Sequence, residues 1–452
     1  MNLFTNLNNG LTMIPYKRLT VGLLTWLFLL PALHSQPYCD VRTFSIRNGL
    51  AASIISDIDQ SADGLMWFST FNGLCNYDGY RFTTFHENPG SDFFSTYRIA
   101  QICPDTQTGI WVVTFDSGLY RLDTKTCQYT NVGAKLKEKT DMTFVARNLY
   151  SLTTSKHTWI SSERSVGFCL RVSDEHPDST EFISCKTMPL PSEYVKKVMC
   201  DSQGREWVFT DSGIMLYGTD TKAKGNFEYM AEAAGQVFLA EEDGKLYVFD
   251  SHAGSLQHMA LTPEPKKIRC LQGTKDGELL IGTESGVLEL TAKSSAVRSL
   301  AENVGTVVRI DTDSRGDVWL FTEQGDIALV SNGMVHRLTT APYDAASVTT
   351  SGTPLWIEDN HGTVWVAPKD GPFCYYDKSL NCLHPYMLRS EGYDYNNVPT
   401  IRRFLIDRQQ NLWFTSRHDL TLVNPKYYYI KRLSLARNCE TRSLTALRDG
   451  TV

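Results

Sequence analysis

A sequence motif that returns about every 43 residues limits the possible folds of this 452-residue chain more than any other feature. Clear copies are DGLMWFSTFNG at residues 63–73 and RGDVWLFTEQG at residues 315–325. The central residues of successive copies lie 39 to 48 residues apart, except for one interval of 31. In chain order they are Trp67, Trp111, Trp159, Trp207, Phe238, Leu280, Trp319, Trp365 and Trp413. Seven of the nine tryptophans therefore occupy one position of a repeat.

Each copy has the pattern of four short β-strands. A hydrophobic residue nine positions before the central aromatic, such as Ile58 or Ile102, indicates an inner strand, and a polar turn closed by Gly follows it. The Trp-aliphatic-x-Thr segment is rich in aromatic and β-branched residues, which favour a second strand. Another Gly precedes a third strand, such as residues 74–78, and residues 80–85 are typical of a fourth.

This four-stranded unit, repeated at this period, predicts an all-β β-propeller of four-stranded blades. A helical repeat would place apolar residues at helical spacing over about ten residues, and no such stripe lies between the turns. Two stacked sheets would not explain the returning tryptophan. We expect the repeat tryptophans (Trp67, Trp111, Trp159, Trp207, Trp319, Trp365 and Trp413) to pack between blades rather than to stack on a sugar.

The number of copies suggests more than one ring. Nine copies lie between Trp67 and Trp413, whereas a single propeller usually closes with about four to eight blades. We therefore expect a first seven-bladed propeller over residues 40–340 and the first blades of a second over residues 341–452. Residues 444–452 repeat the inner strand and the Asp-Gly turn of a further copy, so the second propeller is expected to be truncated.

Residues 1–36 are typical of an export segment. The apolar stretch 19–33 follows Lys17 and Arg18 and precedes small and polar residues, as in a signal peptide. At 15 residues it is short for a membrane span, which needs about 20, although an uncleaved N-terminal anchor stays possible. Either form predicts that the repeats lie outside the cytoplasm, in the periplasm.

Charge and cysteine content narrow the possible functions. The net charge of −6 lacks the basic excess that nucleic-acid binding requires. The 11 cysteines are odd in number, contain no C-x-x-C pair and lie mostly in apolar runs, so we expect few or no disulfides. If one bridge exists, Cys374 and Cys382 are the favoured pair.

No pattern typical of an enzyme is present. The sequence has no H-E-x-x-H, G-x-S-x-G, Walker or G-x-G-x-x-G motif, and the Asp-Gly pairs lack the spacing of a calcium loop. We therefore predict no catalytic residues, no metal and no cofactor.

The position ten residues before each central aromatic is the most variable of the inner strand. It holds Lys197, Arg309 and Arg403 in three copies, and Arg402 flanks the last. Charged side chains near the axial channel could supply the hydrogen bonds that a polar sugar needs, so these four residues are candidate ligand contacts. The alternative is a salt-bridged or hydrated channel.

The run Gly49-Leu50, Asp63-Gly64, Trp67-Phe68, Thr70, Gly73-Leu74 and Tyr77-Asp78-Gly79 resembles the first two-component regulator propeller repeat. That repeat begins the periplasmic sensors of hybrid two-component systems from gut Bacteroides-like bacteria, and the resemblance spans about residues 41–452. It implies an oligosaccharide ligand and a homodimeric intact protein. It also implies a downstream histidine kinase and transcriptional output, whose motifs this sequence lacks.

These observations favour a non-catalytic periplasmic sensor region that binds an oligosaccharide and passes a signal across the inner membrane. The membrane would be reached only through the N-terminal segment or through parts beyond this chain. Two alternatives stay open: an exported propeller enzyme, either a polysaccharide lyase or a quinone-dependent dehydrogenase, and a protein-interaction scaffold. A lyase would need a Tyr or His base beside Arg or a metal, and no sequence spacing brings these residues together.

Overall fold

The computed structural model describes residues 39–85, 93–140, 143–162, 168–178, 180–184, 194–291, 296–338, 355–367, 373–386, 389–390, 393–394, 403–415 and 419–425. Contacts divide the chain into two units, and the unit 40–425 contains the blades. The other unit, residues 1–39 and 426–452, lies outside the described residues except for Cys39. The predicted export segment 1–36 and the partial copy 444–452 belong to that part of the chain.

The described residues form nine four-stranded sheets, and in eight of them antiparallel strands follow one another in chain order. Strand β1 is Cys39–Phe44, and a 3₁₀ turn, Ile46–Asn48, follows it. Blade 1 is β2–β5, Ile55–Gln60, Met66–Thr70, Gly73–Tyr77 and Phe82–Phe85. Blade 2 is β6–β9, Ile99–Pro104, Gly109–Thr114, Leu119–Asp123 and Gln128–Asn131, followed by helix α1, Val132–Thr140. Blade 3 is β10–β13, Ala146–Leu152, His157–Ser162, Phe168–Ser173 and Thr180–Ser184.

The next three blades continue the pattern. Blade 4 is β14–β17, Val195–Cys200, Glu206–Thr210, Gly213–Leu216 and Lys222–Lys224. Blade 5 is β18–β21, Phe227–Ala233, Gln236–Glu241, Leu246–Asp250 and Ser255–Met259. Blade 6 is β22–β25, Ile268–Gly273, Glu278–Thr283, Gly286–Thr291 and Ala296–Glu302.

The last three blades complete the series. Blade 7 is β26–β29, Val307–Thr312, Val318–Thr322, Ile327–Ser331 and Met334–Arg337. Blade 8 is β30–β33, Leu355–Glu358, Val364–Ala367, Cys374–Asp377 and Cys382–Pro385, and a short hairpin follows as β34, Arg389–Ser390, and β35, Tyr393–Asp394. Blade 9 combines β36–β38, Arg403–Ile406, Leu412–Thr415 and Leu420–Pro425, with β1 as its outer strand.

The prediction of a four-stranded β-propeller is confirmed, but the prediction of a seven-bladed ring followed by part of a second ring is wrong. The part of the chain that the structure describes forms nine blades, one for each of the nine sequence copies. Blade 9 packs on blade 1, where Trp413 lies in one buried cluster with Phe44, Ile55 and Phe68. The period of a repeat does not report the angle between blades, which side-chain packing sets. The expected boundary at residues 340 and 341 lies outside the described residues.

The repeat tryptophans are buried and pack against residues of neighbouring blades. All seven are between 0 and 2% exposed. Trp67 packs with Ile99 and Ile110 of blade 2, and Trp207 with Phe227 of blade 5. Tryptophans buried in this way cannot stack on a ligand.

A buried carboxylate six residues before the tryptophan fixes most of these side chains. The Asp accepts backbone N–H groups of its own hairpin turn and the indole N–H of its own blade. The Nε1–Oδ2 distances are 3.0 Å for Trp207–Asp201, 3.3 Å for Trp319–Asp313, 2.7 Å for Trp365–Asp359 and 2.7 Å for Trp413–Asp407. In blade 1 the hydroxyl of Ser61 takes this role at 2.9 Å from Trp67 Nε1.

The strand directions define two faces of the ring. The first strand of each blade starts at the front face, where the turn between the second and third strands also lies. The turn between the first and second strands and the turn between the third and fourth lie at the back face.

Closure of the ring depends on polar contacts between blades 9 and 1 as well as on the apolar cluster. Arg403 Nε lies 3.3 Å from Asp57 Oδ1, and Arg408 Nη1 donates to the carbonyl oxygen of Ala62 at 2.7 Å. We call this boundary between blades 9 and 1 the seam.

The described residues contain no helix long and apolar enough to span a membrane. None of the nine described cysteines forms a disulfide. Cys374 is paired with Pro385 and Cys382 with Asp377 across β32 and β33, so the pair favoured from sequence does not lie opposite each other.

Replacing Asp407 by Ala should lower the unfolding free energy by about 2–4 kcal/mol, because Trp413 Nε1 and the backbone N–H of Asn411 would lose a buried charged acceptor. Thermal unfolding followed by circular dichroism measures the change. Asp243→Ala is the matched control, since Asp243 lies in a hairpin of blade 5 but is exposed. Equal midpoints for the two variants would contradict the structural role assigned to Asp407.

Replacing Asp59 by Asn should stabilise the protein at pH 8 and have little effect at pH 4. Burial raises the pKa of Asp59 to about 6 from 3.8, and the neighbouring Asp57 carboxylate raises it further, while the Gln60 N–H and Arg408 act in the opposite direction. A carboxyl with a raised pKa destabilises the folded state increasingly as the pH rises through the folded-state pKa. We expect a midpoint increase of about 2 °C or more at pH 8.

Asp78→Asn provides the control for this pH dependence. Backbone N–H groups of Arg81 and Tyr80 lower the pKa of Asp78, so its contribution is present at neutral pH and is lost in acid. The Asp78 variant should therefore be less stable than wild type at pH 8, the opposite of Asp59→Asn. A rise in the Asp59→Asn midpoint that is the same at pH 4 and pH 8 would show that charge is not the cause.

Candidate functional site

A cavity of about 340 Å³ opens at the front face beside the seam. Residues of blades 9, 1 and 2 line it: Ile54, Ile55, Ser56, Phe71, Ala100, Phe115 and Arg403. Its volume is within the range of about 300–1,000 Å³ that small-molecule sites occupy. We call it the seam cavity.

Two phenylalanines at equivalent positions form the aromatic wall of the seam cavity. Phe71 and Phe115 directly follow the second strands of blades 1 and 2, where the chain turns at the front face. Their ring centroids lie 5.0 Å apart at an interplanar angle of 76°. Phe115 is 48% exposed, which is unusual for a large apolar side chain in a ring whose tryptophans are buried.

Arg98 holds these two rings in place. Its guanidinium carbon lies 4.7 Å from the centroid of Phe71 and 4.9 Å from that of Phe115, within cation–π distance. The chain thereby keeps an exposed aromatic surface in a fixed orientation beside a cationic group.

Arg403 forms the polar wall of the seam cavity, and Asp57 holds it there as an ion-pair partner. Arg403 uses its Nε atom on Asp57, and its side chain is 53% exposed. Burial raises the pKa of Asp57, and the Arg403 guanidinium acts in the opposite direction. Asp57 also accepts the backbone N–H of Ile102 in blade 2 at 3.3 Å, so one carboxylate connects blades 9, 1 and 2.

Of the three sequence-predicted ligand contacts that the structure describes, Arg403 lines the seam cavity, and Lys197 and Arg309 do not. Lys197 of blade 4 donates to the carbonyl oxygen of Glu228, and its ammonium lies 4.7 Å from the Phe209 ring centroid. Burial lowers the pKa of Lys197. Arg309 of blade 7 pairs with Asp311 at 2.6 Å. Arg402 lies outside the described residues, and ligand contact by Lys197, Arg309 or Arg402 stays a prediction.

The variable inner-strand position has a structural task that the sequence did not reveal. In blades 1, 2, 4 and 6 its side chain contacts the backbone of the next blade. Gln101 Oε1 accepts the N–H of Leu149 at 3.2 Å, and Cys270 Sγ lies 3.6 Å from the carbonyl oxygen of Val307. A β-bulge precedes this position in blades 1–7, and it sets the register. In blade 3 the register places Asn148, not Leu149, at this position.

Sequence reasoning missed the aromatic wall, because only the copies of blades 1 and 2 have a phenylalanine at this position, as Phe71 and Phe115. The signal was present nonetheless. Both follow the Thr that ends the second strand, a position occupied by Asp211, Glu284 and Glu323 in other copies. An aromatic residue at a turn position that is acidic in several other copies marks the two blades concerned.

The structure does bring together residue types that a lyase would need. At the boundary of blades 3 and 4, Arg171 Nε lies 2.7 Å from Glu206 Oε2, and His157 Nδ1 lies 3.2 Å from Glu206 Oε1. The Arg171 guanidinium also lies 4.8 Å from the ring centroid of Tyr217. Glu206 accepts the indole N–H of Trp159 at 3.2 Å, so it replaces the carboxylate of the usual Asp.

This cluster is organised for packing rather than for proton transfer. The guanidinium of Arg171 is engaged by Glu206, Glu181 and His157, which leaves little of it for a substrate. Burial and the neighbouring Glu181 raise the pKa of Tyr217 above its usual range, so the phenol is a poor base at neutral pH. Among the described residues, no group of three His, Cys, Asp or Glu side chains is arranged to hold a metal ion.

No protein-family model matches the chain, and no curated protein sequence matches it significantly. Similar solved structures do exist. The extracellular domain of a hybrid two-component system from Bacteroides thetaiotaomicron is 17% identical with a TM-score of 0.37, over 84% of this chain and 58% of that one. The extracellular domain of a one-component system from the same organism is 16% identical with a TM-score of 0.35, over 84% of this chain and 57% of that one.

A virginiamycin B lyase from Staphylococcus aureus is also similar, at 11% identity and a TM-score of 0.40, over 62% of this chain and 94% of that one. The chain thus spans somewhat more than half the length of the two Bacteroides domains. Likeness at these values does not identify a function. The solved structures similar to this chain include extracellular domains of Bacteroides hybrid two-component systems, the class that its sequence resembles.

Proposed function

We propose that this propeller is the exported ligand-binding region of a two-component sensor and that it binds an oligosaccharide in the seam cavity. The observation that carries the proposal is the exposed Phe71–Phe115 wall facing the same cavity as Arg403. Sugars present an apolar C–H face and a polar hydroxyl rim, so they need an aromatic surface beside hydrogen-bond donors. The seam cavity offers both.

The position of the cavity suits a sensor. Its walls come from blades 9, 1 and 2, and the seam between blades 9 and 1 is where β1 completes the ring. A ligand that contacts Arg403 and Phe71 together would favour the closed seam, because a ligand stabilises the state that it binds. In this proposal the change at the seam is passed to a kinase beyond this chain, in a homodimer anchored at the inner membrane.

The alternatives make different demands. A scaffold would bind another protein at the same exposed aromatic wall, and a lyase would have to use groups that now pair with one another around Arg171. Oligosaccharide binding explains more directly than either alternative why a half-exposed arginine lies beside a fixed aromatic pair in a concave site. Enzyme and scaffold nevertheless stay as alternatives that binding and turnover assays separate.

Replacing Phe115 by Ala should weaken oligosaccharide binding about tenfold or more, which corresponds to about 1.4 kcal/mol. The reason is loss of the exposed stacking face, while Phe71 and the seam contacts stay in place. A thermal-shift screen of host and plant oligosaccharides against the full chain identifies the probe, and calorimetry then measures its Kd for both proteins.

Tyr80→Ala is the matched control, since Tyr80 is 95% exposed and lies in a back-face turn of blade 1. It should bind the same oligosaccharide with wild-type affinity. Wild-type affinity of Phe115→Ala for every oligosaccharide that shifts the midpoint would remove the seam cavity from the proposal. Silence of the whole screen with a folded protein would favour the scaffold and enzyme alternatives.

A further inference from the structure

A second cavity, of about 370 Å³, lies at the back face between blades 4 and 5. Its lining is polar: Gln203 and Arg205 come from the first turn of blade 4, and Gln236, Asp250, His252 and Gln257 come from blade 5. Phe249 forms its apolar floor. Neither the repeat architecture nor the seam cavity accounts for this concentration of amide and guanidinium groups.

Arg205 is held rigidly at this cavity. Its Nε lies 2.6 Å from Asp201 Oδ2, and its guanidinium carbon lies 4.8 Å from the ring centroid of Phe249. Asp201 is 1% exposed and is itself fixed by Trp207 Nε1 at 3.0 Å. The carboxylate that orders the repeat tryptophan in this blade therefore also orients an arginine, whose side chain is 23% exposed.

The orientation leaves a donor pair available. Arg205 donates to Asp201 through its Nε atom, so Arg205 can present its two terminal Nη groups to the cavity. A planar pair of N–H donors matches the two oxygens of a carboxylate, and a guanidinium that is already oriented loses little entropy on binding. Partial burial against Phe249 also reduces competition from water.

The acidic residue of the cavity does not oppose this ligand strongly. Asp250 accepts the backbone N–H groups of His252 and Ala253 at 2.9 and 3.0 Å and the Nε2 of Gln257 at 3.0 Å. Those three donors satisfy the carboxylate within its own turn. The amides of Gln203 and Gln236 and the hydroxyl of Ser251 add donors and acceptors suited to sugar hydroxyls.

We infer that this back-face cavity, here named the Arg205 cavity, binds a carboxylate-bearing saccharide such as a uronic acid unit, with Arg205 on the carboxylate. It is a second site, separate in blades and in face from the seam cavity. A propeller with one site on each face could bind two saccharide units of different chemistry. A neutral unit would stack on the aromatic wall of the seam cavity, and an acidic unit would bind in the Arg205 cavity.

The test uses trigalacturonate and its methyl ester as probes for the full chain, with Kd measured by calorimetry. The wild-type protein should bind the free acid at least tenfold more tightly than the ester. Arg205→Lys keeps a cation beside Asp201 but lacks the planar donor pair, so its affinity for the acid should fall at least tenfold. Arg315→Lys is the control, because Arg315 pairs with Asp313 in the equivalent turn of blade 7 and does not line the cavity.

Gln236→Ala covers the case in which Arg205→Lys disturbs the fold. Gln236 is exposed and lines the cavity, so this variant should fold and should bind the acid at least threefold more weakly. Equal affinity for acid and ester, no binding of the acid, or wild-type affinity in both cavity variants would overturn the inference. Loss of acid binding in Phe115→Ala but not in Arg205→Lys would assign the acid to the seam cavity, which overturns this inference and leaves the proposed function intact.

Discussion

The hydrogen bond between a buried carboxylate and the indole N–H of the repeat tryptophan is the interaction on which the rest of this structure depends. In blades 4, 7, 8 and 9 an Asp at the equivalent position accepts backbone N–H groups of the first hairpin turn. The same carboxylate accepts the indole N–H of the repeat tryptophan and so orients its side chain. A buried charge is tolerated only when its oxygens are satisfied, so the turn, the tryptophan and the carboxylate have to form together. Local hairpin geometry is thereby linked to packing between blades.

At each of the two candidate cavities a carboxylate fixes an arginine side chain. At the seam, Asp57 connects three blades, and Arg403 of blade 9 meets it because the ring closes there. At the Arg205 cavity, the usual Asp carries an additional arginine, which a phenylalanine of the next blade supports. In both places a side chain needed for packing also fixes a polar group that a ligand can use. Arg171 differs from these two arginines, because its guanidinium group already donates hydrogen bonds to Glu206 and Glu181.

The sequence predicted the blades well and the candidate site poorly, for reasons that can be seen in single residues. The residue types of Ile58, Trp67 and Gly73 recur at the same positions in most copies, so their repetition indicates a common structural role. Arg403 and Lys197 occupy equivalent positions, yet one lines a cavity and the other donates to a backbone carbonyl of the next blade. Equivalent sequence positions meet different neighbours, and a single copy of the repeat contains no information about the blade beside it. The Asp at the sixth position before the tryptophan was readable from the sequence, since it returns in five copies.

The sequence by itself determined the secondary structure, the meander order within a blade, the burial of the tryptophans and the existence of nine units. Those properties follow from alternation, turn residues and period, all of which are local. Only the tertiary structure decided that blade 9 packs on blade 1 and that β1 completes the ninth blade. It also decided that Arg403 shares a cavity with Phe115 and Phe71, which lie 288 and 332 residues before it in the sequence. The physical reason is that ring size and seam contacts depend on the packing angle between blades, which results from many side chains acting together.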